Sequence, residues 1–124
     1  MIRLVILFMF ISLQLGSQNV IQVISTDVDA LKKSNKNLIV LDVRTPGEFS
    51  SGHLKDAINI DLRDPEAMEK IKKLDHNDTY LVYCRTKNRS GVVVEFMVKE
   101  GFKTVYQMTD GIVGWSQNGL PLEK

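Results

Sequence analysis

The chain contains a single cysteine, Cys84, so it cannot form an internal disulfide and its stability must come from packing. Net charge is nearly absent as well, at +1 over 124 residues. No broad field therefore draws the protein to nucleic acid or acidic lipid, and any preference for anions must be local. Internal repeats and low-complexity linkers are also missing, which excludes solenoids and flexible multidomain arrays. Metal-binding spacing is lacking too. There are two histidines; His76 sits in the polar stretch Asp75-His-Asn-Asp78 with no second ligand nearby, and His53 has no acidic partner placed to orient it.

A run of apolar residues long enough to span a bilayer is likewise absent. The longest, Leu4–Ile11, falls well short of the roughly 18 residues a membrane helix needs, and Ser12 and Gln14 follow closely. With Arg3 before it and Gly16-Ser17 after it, the segment has the layout of a secretory signal. The expectation is a signal peptide over residues 1–17 and one domain over residues 18–124, exported to a compartment such as the bacterial periplasm. An uncleaved N-terminal tether is the alternative. Once Arg3 is removed, basic and acidic side chains are equal in number. What remains suits one core and is too short for two.

From Val20 onward, short β-branched runs alternate with amphipathic segments, the pattern of an α/β domain. Strands are expected at Val20–Ile24, Leu38–Val43, Ala57–Ile60, Tyr80–Tyr83 and Thr104–Met108. The nearly continuous apolar runs at Leu38–Val43 and Tyr80–Tyr83 suit parallel strands buried on both faces. Ser25-Thr-Asp27 offers capping oxygens for a helix from Val28, and Thr45-Pro46 opens a short helix that Gly52 ends. Further helices are expected from Asp64-Pro65 to Lys73, from Ser90 to Gly101, and from Gly111 onward.

Cys84 falls where the fourth expected strand ends and a helix is about to begin, the edge on which parallel sheets hold their ligands. Cys84-Arg-Thr-Lys-Asn-Arg89 is too short and too polar for a strand. It must curl, which turns consecutive backbone N–H groups toward one concavity beside a helix N-terminus. A thiolate or persulfide there would be stabilised by those dipoles. Arg85, Lys87 and Arg89 place three cations within six residues of an otherwise neutral chain, and an anionic sulfur donor fits that charge. On the neighbouring strand end, Asp42 is a candidate to orient the loop. Arg44 either reaches an anion or, the favoured reading, pairs with Glu48 to fasten strand to helix.

These motifs together resemble the rhodanese-like domains. Cys84-Arg-Thr-Lys-Asn-Arg-Ser90 resembles their active-site loop. Leu41-Asp-Val-Arg44 with Glu48-Phe49, Gly52-His-Leu54, Ala57 and Asn59 is similar to their upstream signature, and Gly111-Ile112 with Trp115 to their closing one. The resemblance implies a single domain with a five-stranded parallel sheet and helices on both faces. It also implies a cycle in which Cys84 takes a sulfane sulfur from an anionic donor such as thiosulfate and yields it to cyanide or a thiol, with no metal or organic cofactor. Arg85, Thr86, Lys87, Asn88, Arg89 and Ser90 would bind the donor, Arg44 stays a binding candidate although the resemblance favours its structural role, Asp42 would support the loop, and His53 would be structural.

A non-catalytic binding module or persulfide carrier is the main alternative, and a phosphatase or arsenate reductase the weaker one. Related phosphatase loops place five residues between cysteine and arginine; here four separate Cys84 from Arg89. Lys87 stands where family loops commonly have glycine, so a left-handed backbone angle is expected to fall on Lys87 or move to Asn88. No nucleic-acid partner and no stable membrane insertion after signal removal are expected, and a monomer is the default state.

Overall fold

The computed structural model describes residues 20–124; the expected signal segment lies outside them. In chain order the elements are β1 (Ile21–Val23), a 3-10 turn at Ser25–Asp27, α1 (Val28–Ser34), β2 (Ile39–Asp42), α2 (Pro46–Ser51) and β3 (Ile58–Asn59). They continue with α3 (Ala67–Lys72), β4 (Thr79–Tyr83), α4 (Asn88–Lys99), β5 (Thr104–Met108) and α5 (Gly111–Gln117). The five strands form one sheet in the order β1-β5-β4-β2-β3, and every pairing is parallel. All five expected strands are present, the edge ones shorter than their apolar runs.

The central position of β4 follows from its sequence. Tyr80, Leu81, Val82 and Tyr83 are each at most 1% exposed, so both faces of the strand are covered. On one face, Val82 and Tyr80 pack with Ala67 and Ile71 of α3 and with Val93, Val94 and Met97 of α4. On the other, Leu81 and Tyr83 pack with Val28 of α1, Leu54, Met108 and Trp115 of α5. Each large side chain buried this way contributes about 1.5–3 kcal/mol, and two such layers hold a domain that has no disulfide.

Two local expectations change. Ser25-Thr-Asp27 forms its own 3-10 turn, and no side-chain cap reaches α1. Ser25 is instead recruited across the fold: its backbone N–H and its hydroxyl both donate to the Asp110 carboxylate, at 2.9 Å and 2.6 Å, and Asn118 donates to its hydroxyl oxygen. A partner 85 positions away outcompetes the local cap. The second change is at α4, which starts at Asn88, two residues before Ser90.

At α2 the sequence reading holds. Thr45 accepts from the Glu48 amide at 3.3 Å, Glu48 reaches back to the Thr45 amide, and Pro46 occupies the first turn, where its missing N–H costs nothing. This capping box fixes Glu48, and with it the wall of the cleft described next.

Candidate active site

Cys84 follows β4 directly and is 1% exposed. Its carbonyl accepts from the Ile112 amide at 3.0 Å, and the Arg85 carbonyl from the Val113 amide at 3.2 Å, so the first turn of α5 pins the start of the loop. Gly111 makes that contact possible. Its φ is +62°, and a Cβ there would overlap the Arg85 and Thr86 carbonyls, so no other residue fits without moving the loop.

Those two carbonyls are spent on α5. Among the described residues, the backbone N–H groups of Arg85, Thr86, Lys87, Asn88 and Arg89 have no protein acceptor. Ser90 closes the ring: its amide donates to the Cys84 sulfur at 3.4 Å, and its hydroxyl oxygen lies 3.5 Å from that sulfur. The sulfur thus sits at the base of a helix N-terminus lined with free donors, an arrangement suited to an anion or to a charged persulfide.

The loop closes without the left-handed angle expected at Lys87 or Asn88. Lys87 has φ −139° and ψ −9°, and among the described residues Asp56 is the one non-glycine with positive φ. Starting α4 two residues early takes up the turn, so glycine is not required at position 87, and the Lys87 side chain points to solvent.

The three loop cations separate into two kinds. Arg89 is committed: its guanidinium grips Glu48 in a two-pronged pair at 2.7 Å and 3.0 Å. Arg85 and Lys87 are exposed and form no ion pair among the described residues. Glu48 is therefore the partner of Arg89, not of Arg44. Sequence spacing favoured the nearer cation, but the turn of α2 carries Glu48 toward α4.

Hydrogen bonding to Arg89 holds the Glu48 carboxyl well below its ordinary value of 4.5, at about 2. A depressed carboxylate contributes stability above its unfolded pKa and loses it as pH falls through the folded one. The difference in melting temperature between the wild type and Glu48→Gln should accordingly be constant from neutral pH to about 4.5 and shrink below it toward pH 2. Thermal melts across that range read this directly; a gap that widens on acidification would contradict the pair.

Arg44 is 4% exposed and pairs with Asp42, which is fully buried, with its Nη2 2.6 Å from the carboxylate; it also donates to the Gly52 carbonyl at 2.7 Å. Burial opposes its charge, but Asp42 outweighs that and raises its pKa, so the ion persists. Asp42 in turn accepts the Tyr83 phenol hydrogen. Burial and the Asp42 charge push that phenol upward, which keeps it a donor. Because Tyr83 immediately precedes Cys84, this cluster fixes the strand from which the loop departs. Asn59 adds to it by donating to the Asp42 and Arg44 carbonyls at 3.0 Å and 2.9 Å.

Beside the loop, a cleft of about 470 Å³ opens between α2 and α5, lined by Glu48, Ser51, Arg85, Ile112, Val113 and Ser116 among others. His53 is spent elsewhere: its Nδ1 lies 3.0 Å from the Phe49 carbonyl oxygen, the acceptor of the pair, while its ring stacks on Phe49 at 3.8 Å. His76 is less solvated than its polar loop suggests, because its ring stacks on Phe102 at 4.1 Å. Trp115 belongs to the core and donates to the Pro121 carbonyl.

Sequence reasoning missed Gln107. Its amide nitrogen donates to both the Lys87 carbonyl and the Ser90 hydroxyl oxygen, each at 3.0 Å, from a residue 6% exposed. The available signal was strand alternation: Gln107 shares a face with buried Val105, and a polar amide on that face needs a partner.

A family model for the rhodanese-like domain matches residues 26–118. The chain belongs to the rhodanese-like family. Its domain is 28% identical over 88 residues to a sulfurtransferase of Allochromatium vinosum, covering 70% of this chain and 79% of that one. It is 35% identical over 96 residues to a tRNA uridine(34) hydroxylase of Cytophaga hutchinsonii, covering 73% of this chain but 31% of the relative. Among solved structures, a rhodanese-related protein of Thermoplasma volcanium superposes with a TM-score of 0.72 at 32% identity, covering 83% of this chain and 97% of that one.

Proposed function

We propose that this rhodanese-like domain is a sulfurtransferase that carries sulfane sulfur on Cys84, from an anionic donor such as thiosulfate to cyanide or a thiol. The observation that carries this reading is a buried sulfur that receives the Ser90 amide, at the start of a loop whose amides from Arg85 to Arg89 have no acceptor among the described residues. The A. vinosum relative named a sulfurtransferase points the same way. In the cycle, the Cys84 thiolate attacks the outer sulfur of thiosulfate. A new S–S bond forms, the S–S bond of thiosulfate breaks, and sulfite departs with the electron pair. Cyanide then attacks the outer sulfur, thiocyanate leaves, and the Cys84 thiolate is restored. No metal or organic cofactor takes part.

In this scheme Arg85 and Lys87 attract the dianion, and the amide ring stabilises the charge that the persulfide retains. The four-residue gap between Cys84 and Arg89, one shorter than in related phosphatase loops, argues against phosphatase or arsenate reductase chemistry. The 1% exposure of Cys84 favours one second reading, a persulfide carrier unloaded slowly or by a dedicated acceptor. Turnover separates the two. Thiocyanate release from thiosulfate and cyanide should follow ping-pong kinetics; stoichiometric loading without turnover by any acceptor would favour the carrier, and no loading would reject both.

Export is part of the same proposal and rests on the layout of Arg3, Leu4–Ile11 and Gly16-Ser17. Among the described residues no helix is long and apolar enough to cross a membrane. Protein isolated from its source should begin near residue 18, whereas a mature chain starting at Met1 would overturn the proposal.

A further inference from the structure

The Ser90 hydroxyl has one hydrogen and two neighbours that want it. In the resting thiol form it donates to the Lys87 carbonyl at 3.2 Å, while its oxygen accepts from the Cys84 thiol at 3.5 Å. Once Cys84 is a thiolate or persulfide, the sulfur no longer supplies that hydrogen. The contact then survives only if Ser90 turns its own hydrogen toward sulfur. Turning would normally strip a partner from the Lys87 carbonyl at the crest of the loop.

We infer that Gln107 is a positioning residue that frees the Ser90 hydroxyl hydrogen to turn from the Lys87 carbonyl to the Cys84 sulfur. Its amide carries two hydrogens, and one nitrogen lies 3.0 Å from both the Lys87 carbonyl and the Ser90 oxygen. The carbonyl therefore keeps Gln107 and the Gly91 amide, at 2.9 Å, as donors when Ser90 leaves. The Ser90 oxygen, still accepting from Gln107, is left with one direction for its hydrogen. Gln107 is buried in β5, opposite Val82 in the register, so its placement relative to Cys84 is set by the sheet. It makes no hydrogen bond to the sulfur and acts on it through the Ser90 hydroxyl, whose place on the Lys87 carbonyl it takes.

This inference rests on the sulfur-anion chemistry of Cys84, and its test does not require sulfur transfer. The readout is the rate of Cys84 alkylation by iodoacetamide at fixed pH, in wild type, Gln107→Met, Ser90→Ala and the double variant. If Gln107 acts through the Ser90 hydroxyl, Gln107→Met slows alkylation roughly fivefold in the Ser90 background and less than about twofold in the Ser90→Ala background, the mark of coupled residues. Gln107→Glu keeps the shape but draws the hydroxyl hydrogen to its own carboxylate, so it should slow alkylation at least as much as Gln107→Met. Thermal melts identify any variant that has lost its fold. Equal slowing in both backgrounds, or none in either, overturns the inference. Failure of the wild type to take up sulfur would instead remove the proposed function while leaving this alkylation cycle readable.

Discussion

Cys84→Ser abolishes thiocyanate formation from thiosulfate and cyanide while leaving the melting temperature within a few degrees of wild type. The loss should be complete within detection, because the hydroxyl that replaces the thiol is not ionised at neutral pH and cannot hold a sulfane sulfur. Stability is spared because the exchange keeps shape and the new hydroxyl inherits the Ser90 amide and hydroxyl as hydrogen-bond partners, so no buried polar group is left unsatisfied. Residual turnover in Cys84→Ser would show that the amide ring alone activates the donor. It would move the chemistry off the protein's single thiol.

The second large effect is on stability. Arg44→Met strands the Asp42 carboxylate, which is fully buried and, among the described residues, is left with the Tyr83 hydroxyl as its one side-chain donor. Breaking a buried pair by removing one partner costs about 3–5 kcal/mol. For a domain near 100 residues each kcal/mol is worth about 4–8 °C, so the melting temperature should drop by more than about 10 °C. Adding Asp42→Asn to Arg44→Met should recover part of that loss, since the uncompensated charge is gone. If Arg44→Met instead melts like wild type but needs far more thiosulfate to saturate, Arg44 is a donor-binding residue, and the structural role drawn from its burial is wrong.

The two effects separate what the cysteine does from what holds it in place, and the sequence discloses these layers unequally. Parallel strands were legible because their chemistry is local: Tyr80–Tyr83 is apolar throughout, and burial on both faces is what such a run requires. The helix at Pro46 was legible for the same reason, since Thr45, Pro46 and Glu48 lie within one turn. The position of Cys84 at a strand-to-helix junction followed from those boundaries. Partner choice did not. Arg44 lies nearer in sequence to Glu48, yet folding returns Arg44 along β2 to Asp42 and delivers Glu48 to Arg89, 41 positions away.

Ser25 illustrates the same limit, because a residue with capping chemistry spends it on Asp110 across the domain. Lys87 shows another. Replacing a customary loop glycine suggests strain, but the early start of α4 removes the need for a positive φ. Gln107 was hidden because nothing local distinguishes it; only the register of β5 against β4 brings its amide beneath the loop. Contacts closed within one helical turn are thus readable from sequence, contacts closed across the fold are not, and even the neighbouring Asp42–Arg44 pair is decided by which groups are buried together.

The central claim is that Cys84 at the base of the amide ring accepts one sulfur atom. Intact-mass measurement of wild-type protein after incubation with thiosulfate, followed by cyanide, tests it most directly. The account predicts a gain of one sulfur atom per chain with release of one sulfite, reversed by cyanide as thiocyanate and absent in Cys84→Ser. An unchanged wild-type mass with every anionic sulfane donor tried, in protein that is folded and whose thiol is free, would contradict it.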